Sequence, residues 1–406
     1  MTSEPISLGS HAAGPPNRLG EVLRIFFRLG CTSFGGPIAH LGYFRTEFVA
    51  RRQWLDEAHY ADLVALCQFL PGPASSQVAV SLGILRAGLA GGIAAWIGFS
   101  APSALALVAF AASVARLGAM ADASWLAGLR IVAVAVVAQA VWGMARTLCP
   151  DRPRATLAVA SAILALALPG APGQIGAIAL GAAIGWRLFR AAEPAKAEPL
   201  AIALPRRLAV PALALFAALL VGLPILAPIS HPLALFAAFY RAGALVFGGG
   251  HVVLPLLQGA VVPSGWVDND AFLAGYGAAQ AVPGPLFTFA AYLGAVMRAP
   301  PNGWLGGTIA LTAIYLPSFL LLIGVLPFWD ALRRNQEVRA ALRGVNAAVV
   351  GVLLAALYTP VWTSAIVGPG AFALALAAFL ALVFWRVPPW LVVIAGALAA
   401  PALAAF

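Results

Sequence analysis

The stretch Gln68-Phe69-Leu70-Pro71-Gly72-Pro73 recurs 212 residues later as Gln280-Ala281-Val282-Pro283-Gly284-Pro285. Proline removes a backbone donor and clashes with the preceding helical turn, while glycine accepts dihedrals closed to other residues. Each copy must therefore break a helix. Working outward, Arg28-x-Gly30 with Phe34-Gly35-Gly36 returns as Arg241-x-Gly243 with Phe247-Gly248-Gly249, at an offset of 213. Trp54-x-Asp56 returns as Trp266-x-Asp268, and Arg86 matches Arg298, both at 212. Pro102 matches Pro317 and Leu129-Arg130 matches Leu342-Arg343, at offsets of 215 and 213. Apolar composition aligns Ala and Leu by chance, but not Trp, Gln, Arg and Pro-Gly-Pro in register. The chain is an internal duplication.

Its composition sets the solvent. Of 406 residues, 62% are hydrophobic and 9% charged, where a soluble domain carries about 25% charged residues. The net charge of +10 is spread as short basic clusters between apolar runs. That pattern suits the loops of a membrane protein and gives no basic face for a nucleic acid. The first 17 residues are polar and lack the basic start and apolar core of a signal peptide. Cys31, Cys67 and Cys149 form no CxxC pair, so neither a disulfide framework nor a zinc site is expected.

Residues 88–115, 125–147, 207–228, 304–328, 344–362, 365–385 and 390–405 are apolar runs long enough, or nearly so, to span about 30 Å of hydrocarbon. The runs 20–34, 37–50, 59–70, 74–86, 232–247, 251–262, 270–282 and 286–298 are too short, and are expected to enter and turn back or to pair end to end. Residues 155–169 and 172–186 read as a helical hairpin. The domain reading is a polar tail at 1–19, a first repeat at 20–190, a cytoplasmic linker at 191–206 and a second repeat at 207–406. Basic residues fall on opposite sides of equivalent loops: Arg45, Arg51 and Arg52 in the first copy face Gln258–Asp270 in the second, which has no Lys or Arg. The expected fold is an all-α polytopic membrane protein built from two homologous repeats of inverted topology, with broken or re-entrant helices.

Broken backbone at membrane depth survives where protein or a water-filled cavity satisfies the freed groups. A helix restarting at Ala74 or Leu286 presents free N–H groups and the positive end of its dipole, which suits an anion. The candidate substrate-binding set is therefore Gln68, Pro71, Gly72, Pro73, Ser75 and Ser76 with Gln280, Pro283, Gly284, Pro285, Phe287 and Thr288. Gly35, Gly36, Gly248 and Gly249 join it as sites of close backbone approach. The two glutamines are expected to donate to an oxyanion or to brace the broken backbone. Arg28 and Arg241 lie about nine residues into their segments, near mid-depth, where an arginine costs at least ~2.5 kcal/mol and should face a cavity or a partner. In an inverted repeat the two are expected to meet across an anion, since the guanidinium fork suits oxyanion edges. Arg86, Arg298, His40 and His251 are secondary candidates, better placed for snorkelling or packing. Asp56 and Asp268 read as helix N-caps. Glu47 and Asp62 occur only in the first copy, where each could carry a coupled proton or pair with Arg45 or Arg51. There is no HExxH pair, no GxSxG elbow, no acidic metal cluster and no nucleotide loop, so neither an enzyme nor a cofactor is indicated.

The runs Phe34-Gly35-Gly36-Pro37-Ile38-Ala39-His40-Leu41-Gly42 and Gln68-Phe69-Leu70-Pro71-Gly72-Pro73, with Phe247-Gly248-Gly249-Gly250-His251 and Pro283-Gly284-Pro285-Leu286-Phe287, resemble those of the bacterial chromate ion transporter family. The resemblance covers about residues 20–145 and 233–360. It implies a two-domain inner-membrane exporter of chromate that confers chromate resistance, with sulfate as a competitor of similar shape. It also implies drive by the proton-motive force. The expected partners are thus chromate, sulfate, the lipid bilayer and a coupling proton, with a homodimer as a further candidate. A sulfate or other oxyanion carrier, and a passive anion channel, are the alternatives.

Overall fold

A computed structural model describes residues 18–117, 124–189 and 204–403. The expected linker up to residue 203, most of the polar tail and the loop expected at Ala119–Ser124 up to residue 123 lie outside the described residues. The described residues are helical, with no strand among them.

In the first repeat, α1 (Arg18–Thr32) ends at the Phe-Gly-Gly turn, and α2 (Gly36–Phe44) continues into a π-helical turn, Arg45–Arg51. Next, α3 (Glu57–Phe69) stops at the first Pro-Gly-Pro, and α4 (Ala74–Leu117) starts beyond it. Helix α4 has two arms, because Ala87 and Gly88 (φ −145° and +64°) leave the helical region between them. The repeat closes with α5 (Ser124–Leu148) and the hairpin α6 (Arg152–Ala167) and α7 (Ala171–Leu188). The peripheral α8 (Arg206–Leu226) leads to the second copy, where α9 (His231–Ala244) and α10 (Val253–Val261) flank the second Phe-Gly-Gly. The short α11 (Asn269–Ala279) and α12 (Phe289–Ala295) flank the second Pro-Gly-Pro. Then follow α13 (Gly303–Val325), α14 (Trp329–Arg334), α15 (Gln336–Ala356), the three-residue α16 (Thr363–Ala365), and the hairpin α17 (Pro369–Val383) and α18 (Pro389–Leu403). Among the described residues five helical stretches are long and apolar enough to cross a membrane. Asp56 and Asp268 do cap α3 and α11, accepting from His59 N–H and Ala271 N–H at 2.8 Å each.

Ion pairs set the direction of each segment. Glu21, at the start of α1, binds Arg86 at the end of the first arm of α4 (2.9 Å) and Arg52 beyond the π turn (3.4 Å). Both helix pairs of the first repeat therefore enter and return on one face. In the second repeat the Arg298 N–H donates to the Trp266 carbonyl at 3.0 Å, and its guanidinium lies 3.8 Å from Asp268. That pair also turns back. The second arm of α4 then spans about 45 Å, enough for a full crossing. Across it, Arg130 of α5 pairs with Asp270 of α11, while Asp62 of α3 pairs with Arg333 of α14 at 3.0 Å. Equivalent turns thus lie on opposite faces, and the repeats are inverted. Arg86 and Arg298 sit on different faces for this reason.

The copies are also exchanged. Helix α5 of the first repeat packs on α17 and α18 of the second, and α15 of the second packs on α6 and α7 of the first. Backbones touch there: a Cβ on Gly344 would fall 1.9 Å from the Gly181 carbonyl oxygen, the small-residue approach used between membrane helices. At the centre the breaks bond reciprocally. Gly72 N–H donates to the Val246 carbonyl (2.7 Å), and Gly284 N–H donates to the Ser33 carbonyl (2.9 Å). Each Pro-Gly-Pro of one repeat is therefore held by the Phe-Gly-Gly turn of the other. Both glycines have positive φ, +120° and +100°. A Cβ on Gly72 would lie 2.6 Å from Ser318 Cβ, and one on Gly284 would lie 2.9 Å from Ser103 Oγ. Outer faces are apolar and lipid-facing, as at Ile225 and Leu398, and α8 buries little of its surface.

Two outcomes check this arrangement. With Cys31, Cys67 and Cys149 replaced, single cysteines at the equivalent exposed positions Ala50 and Pro263 are expected to label from opposite sides of the membrane; labelling from one side contradicts inversion. Gly72→Ala is expected to lower the melting temperature in detergent more than Gly284→Ala, because its Cβ meets a carbon rather than a rotatable hydroxyl. The backbone conformation alone costs ~1–3 kcal/mol at each. Gly42→Ala, in open space at an ordinary φ, is the control.

Candidate functional site

The first Pro-Gly-Pro restarts α4 inside the protein, where Ser75, Ser76 and Gln77 are all buried. His40 braces this turn: its Nε2 lies 3.1 Å from the Ser33 carbonyl oxygen and its Nδ1 lies 3.3 Å from Ser75 Oγ. A carbonyl can only accept, so Nε2 carries the proton and Nδ1 accepts from the Ser75 hydroxyl. Gln77 Nε2 donates to the Pro71 carbonyl at 2.9 Å, and Ser76 Oγ lies 3.5 Å from the Tyr315 hydroxyl. On the other side Thr288 Oγ1 donates to the Pro285 carbonyl (2.8 Å), and the Phe287 ring packs on Tyr315 at 5.7 Å. The centre is thus lined by hydroxyls, amides and rings. Ser33 Oγ, Trp96 Nε1 and Gln280 Nε2 are buried there without a hydrogen-bond partner among the described residues. Buried polar groups are normally paired, so these atoms are available to hydrogen-bond a group entering the centre.

The predicted residues fare unequally. Pro71, Gly72, Pro73, Ser75 and Ser76 are brought to Pro283, Gly284, Pro285, Phe287 and Thr288 through Tyr315 and the reciprocal turns. Gln68 and Gln280 do not act alike. Gln68 is exposed on α3, and the brace expected of it is supplied by Gln77. Gly35 and Gly36 hold positive φ at the first turn, and Gly248 approaches Met144, Leu148 and Asn346. His251 sits in the second half with its Nδ1 2.8 Å from the Tyr276 hydroxyl.

The arginines depart furthest from expectation. Arg28 and Arg241 do not share a cavity. Arg28 is more than half exposed and pairs with the buried Glu47 at 3.2 Å, alongside Arg51 and Arg52. The Arg51 pairing of Glu47 matches one of its expected partners, while Arg45 turns instead to Glu57 at 2.6 Å. Arg241 lines a small hollow with Gln174, Ile175, Leu245, Leu256 and Ala260, and has no hydrogen-bond or ion-pair partner among the described residues. At the Phe-Gly-Gly offset of 213, Ala260 stands where the first copy has Glu47. The equivalent arginines therefore differ because only the first copy has the acid. Arg86 is held by Glu21 and stacks over Trp54, 5.2 Å from the ring centre; Arg298 is exposed.

Sequence reasoning missed Tyr315, Trp96, Ser33, Ser103 and Ser318. One signal was present: Pro102-Ser103 and Pro317-Ser318 repeat as dipeptides, and each serine faces the Pro-Gly-Pro of the opposite copy.

Residues 20–186 and 233–400 match the chromate transporter family. The chain is 28% identical over 355 residues to the chromate transport protein of Pseudomonas aeruginosa, covering 85% of this chain and 81% of that one. It is 25% identical over 354 residues to the chromate transport protein of Cupriavidus metallidurans, covering 86% and 84%. An uncharacterized transporter of Methanocaldococcus jannaschii is 27% identical over 341 residues, covering 82% of each. No solved structure matches the chain. These relatives are named as transporters, not enzymes. With two inverted, exchanged repeats and both motif pairs in place, this multi-pass membrane protein belongs to the chromate transporter family.

Proposed function

We propose that the chain carries chromate, a tetrahedral dianion, out of the cytoplasm through the inner membrane by alternating access, and so gives chromate resistance. The observation that carries this reading is the unpaired Arg241, in the last turn of α9 before the Phe-Gly-Gly break, in a protein whose two broken helix pairs meet through reciprocal backbone bonds. A guanidinium there faces a cavity or a ligand. Relatives named as chromate transport proteins supply the choice of anion. Around the dianion, the Ser75 and Ser76 amides, Gln280 Nε2 and Trp96 Nε1 donate, and Arg241, from its own hollow beside α7 and α10, supplies positive potential. Arg28, more than half exposed and turned to Glu47, plays no direct part in this scheme.

The orientation follows from charge. Arg51, Arg52, Arg86, Arg152, Arg154, Arg333 and Arg334 belong to one face, against Arg130 and Arg298 on the other, so the basic face is cytoplasmic. Because α5 and α15 are exchanged, the moving bodies are the broken helix pairs against the exchanged bundles, not repeat against repeat. The sequence repeats themselves are taken as residues 20–190 and 207–406. Proton-motive force is the proposed drive, with sulfate as competitor.

Radiolabelled chromate uptake into everted vesicles, with and without an imposed proton gradient and excess sulfate, tests the proposal. Accumulation that needs the gradient and falls with sulfate is expected; no protein-dependent movement of chromate by the folded protein contradicts it. Sulfate accumulation in place of chromate identifies a sulfate carrier, and movement only down a gradient identifies a channel. Arg241→Gln is expected to weaken chromate about tenfold or more, since it removes that positive potential. Arg28→Gln is expected to stay within about threefold, since Arg28 is more than half exposed and turned to the Glu47 cluster.

A further inference from the structure

A hollow of about 480 Å³ lies between the first Phe-Gly-Gly turn and the loop joining α17 to α18, with Phe34, Gly35, Tyr43, Gln139, Arg386 and Trp390 in its wall. No acidic residue lines it. Its floor adjoins the centre, because Phe34 follows Ser33, whose carbonyl accepts from Gly284. The hollow opens toward the basic face. Gln139 lies nine residues before the basic end of α5 at Leu148, about 14 Å below it at helical rise. Helices α17 and α18, at 15 residues each, reach only about 22 Å from the other face. Their loop therefore stops inside the membrane thickness and leaves a recess above it.

Arg386 is an anomaly in that loop. It follows α17 at φ +55°, where Trp385 N–H bonds back to the Leu380 carbonyl (3.2 Å) and Val387 N–H to the Ala381 carbonyl (2.9 Å). This is a helix ending at which glycine is the usual residue, since a side chain there costs ~1–2 kcal/mol. The matching loop of the first repeat, between α6 and α7, meets its positive φ with Gly170 (φ +86°). Arg386 has no hydrogen-bond or ion-pair partner among the described residues, and it stands in the wall of a recess large enough for a hydrated oxyanion. A strained arginine, uncompensated by an acid and set below the membrane surface, is free to meet an anion in the recess.

We propose that the hollow is the cytoplasmic vestibule and that Arg386 is its anion-gathering residue. It draws tetrahedral oxyanions down to the Phe34–Gly35 turn before they reach the centre. This rests on the transport reading. The long guanidinium raises the local anion concentration, while the rings of Phe34 and Trp390, 6.1 Å apart, form the apolar wall that keeps its field from being screened.

The test compares the full-length wild type with Arg386→Gly and Arg386→Lys in everted vesicles supplied with radiolabelled chromate. Glycine suits the backbone, so Arg386→Gly is expected to melt no lower than wild type. Its KM for chromate is expected to rise about tenfold at low salt with Vmax kept, and the gap should shrink at high ionic strength. Arg386→Lys is expected to stay within about threefold. An unchanged KM in Arg386→Gly, or a loss confined to Vmax, overturns the proposal. A second readout does not depend on chromate movement. In a background with Cys31, Cys67 and Cys149 replaced, a cysteine at Tyr43 should react with an anionic methanethiosulfonate about threefold to tenfold faster, relative to a neutral one, when Arg386 is present than in Arg386→Gly. Equal ratios overturn the vestibule. If wild type moves no chromate while the ratios differ as expected, the transport reading fails and the anion-gathering recess stands.

Discussion

Two backbone hydrogen bonds, Gly72 N–H to the Val246 carbonyl and Gly284 N–H to the Ser33 carbonyl, hold the centre of this protein together. A membrane interior offers no water to a broken helix, so every freed N–H and C=O there must find a partner in the protein. Each repeat creates two such breaks and satisfies them only in part from its own residues, through His40, Gln77 and Thr288. The inverted copy supplies the missing partner, and the debt is settled reciprocally. Glycine at positive φ, the close approach of Ser318 and Ser103, and the depth at which α4 restarts all depend on that exchange.

Symmetry in the backbone coexists with divergence in the charges. The offset between copies falls from 213 at Phe-Gly-Gly to 212 at Trp-x-Asp, and the first copy holds its additional residue in the π turn Arg45–Arg51, as a π-bulge absorbs one insertion. That turn carries Glu47, which answers Arg28, Arg51 and Arg52. Ala260 answers nothing, and Arg241 is left free. At the far hairpins the difference reverses in kind: the first copy turns with Gly170 and the second with Arg386. A duplicated scaffold thereby carries one arginine paired with an acid, Arg28, and two without a partner among the described residues, Arg241 and Arg386.

Much of this was legible in the chain itself. Pro-Gly-Pro and Phe-Gly-Gly mark backbone events, and backbone events are written in residue type. Opposed arginine clusters reveal inversion because insertion responds to charge near helix ends. Side-chain partnerships across the copies were not legible. Gln68 and Gln280 align, yet one faces outward from α3 and the other is half-buried; the brace falls to Gln77, which has no aligned partner glutamine. Arg28 and Arg241 align as well, but what decides each is a residue about nineteen positions later. The packing of α5 on α17 and α18 could not be read from apolar runs, since every face of such helices is compatible with lipid or protein.

In the proposed scheme the anion sits where the two reciprocally bonded breaks meet. The most direct measurement is an anomalous difference map at the chromium edge from crystals of the protein grown with chromate. The account predicts a peak between the Ser75–Ser76 turn and Gln280. Strong chromium density confined to Arg28 and the Glu47 cluster, with none between the breaks, contradicts it.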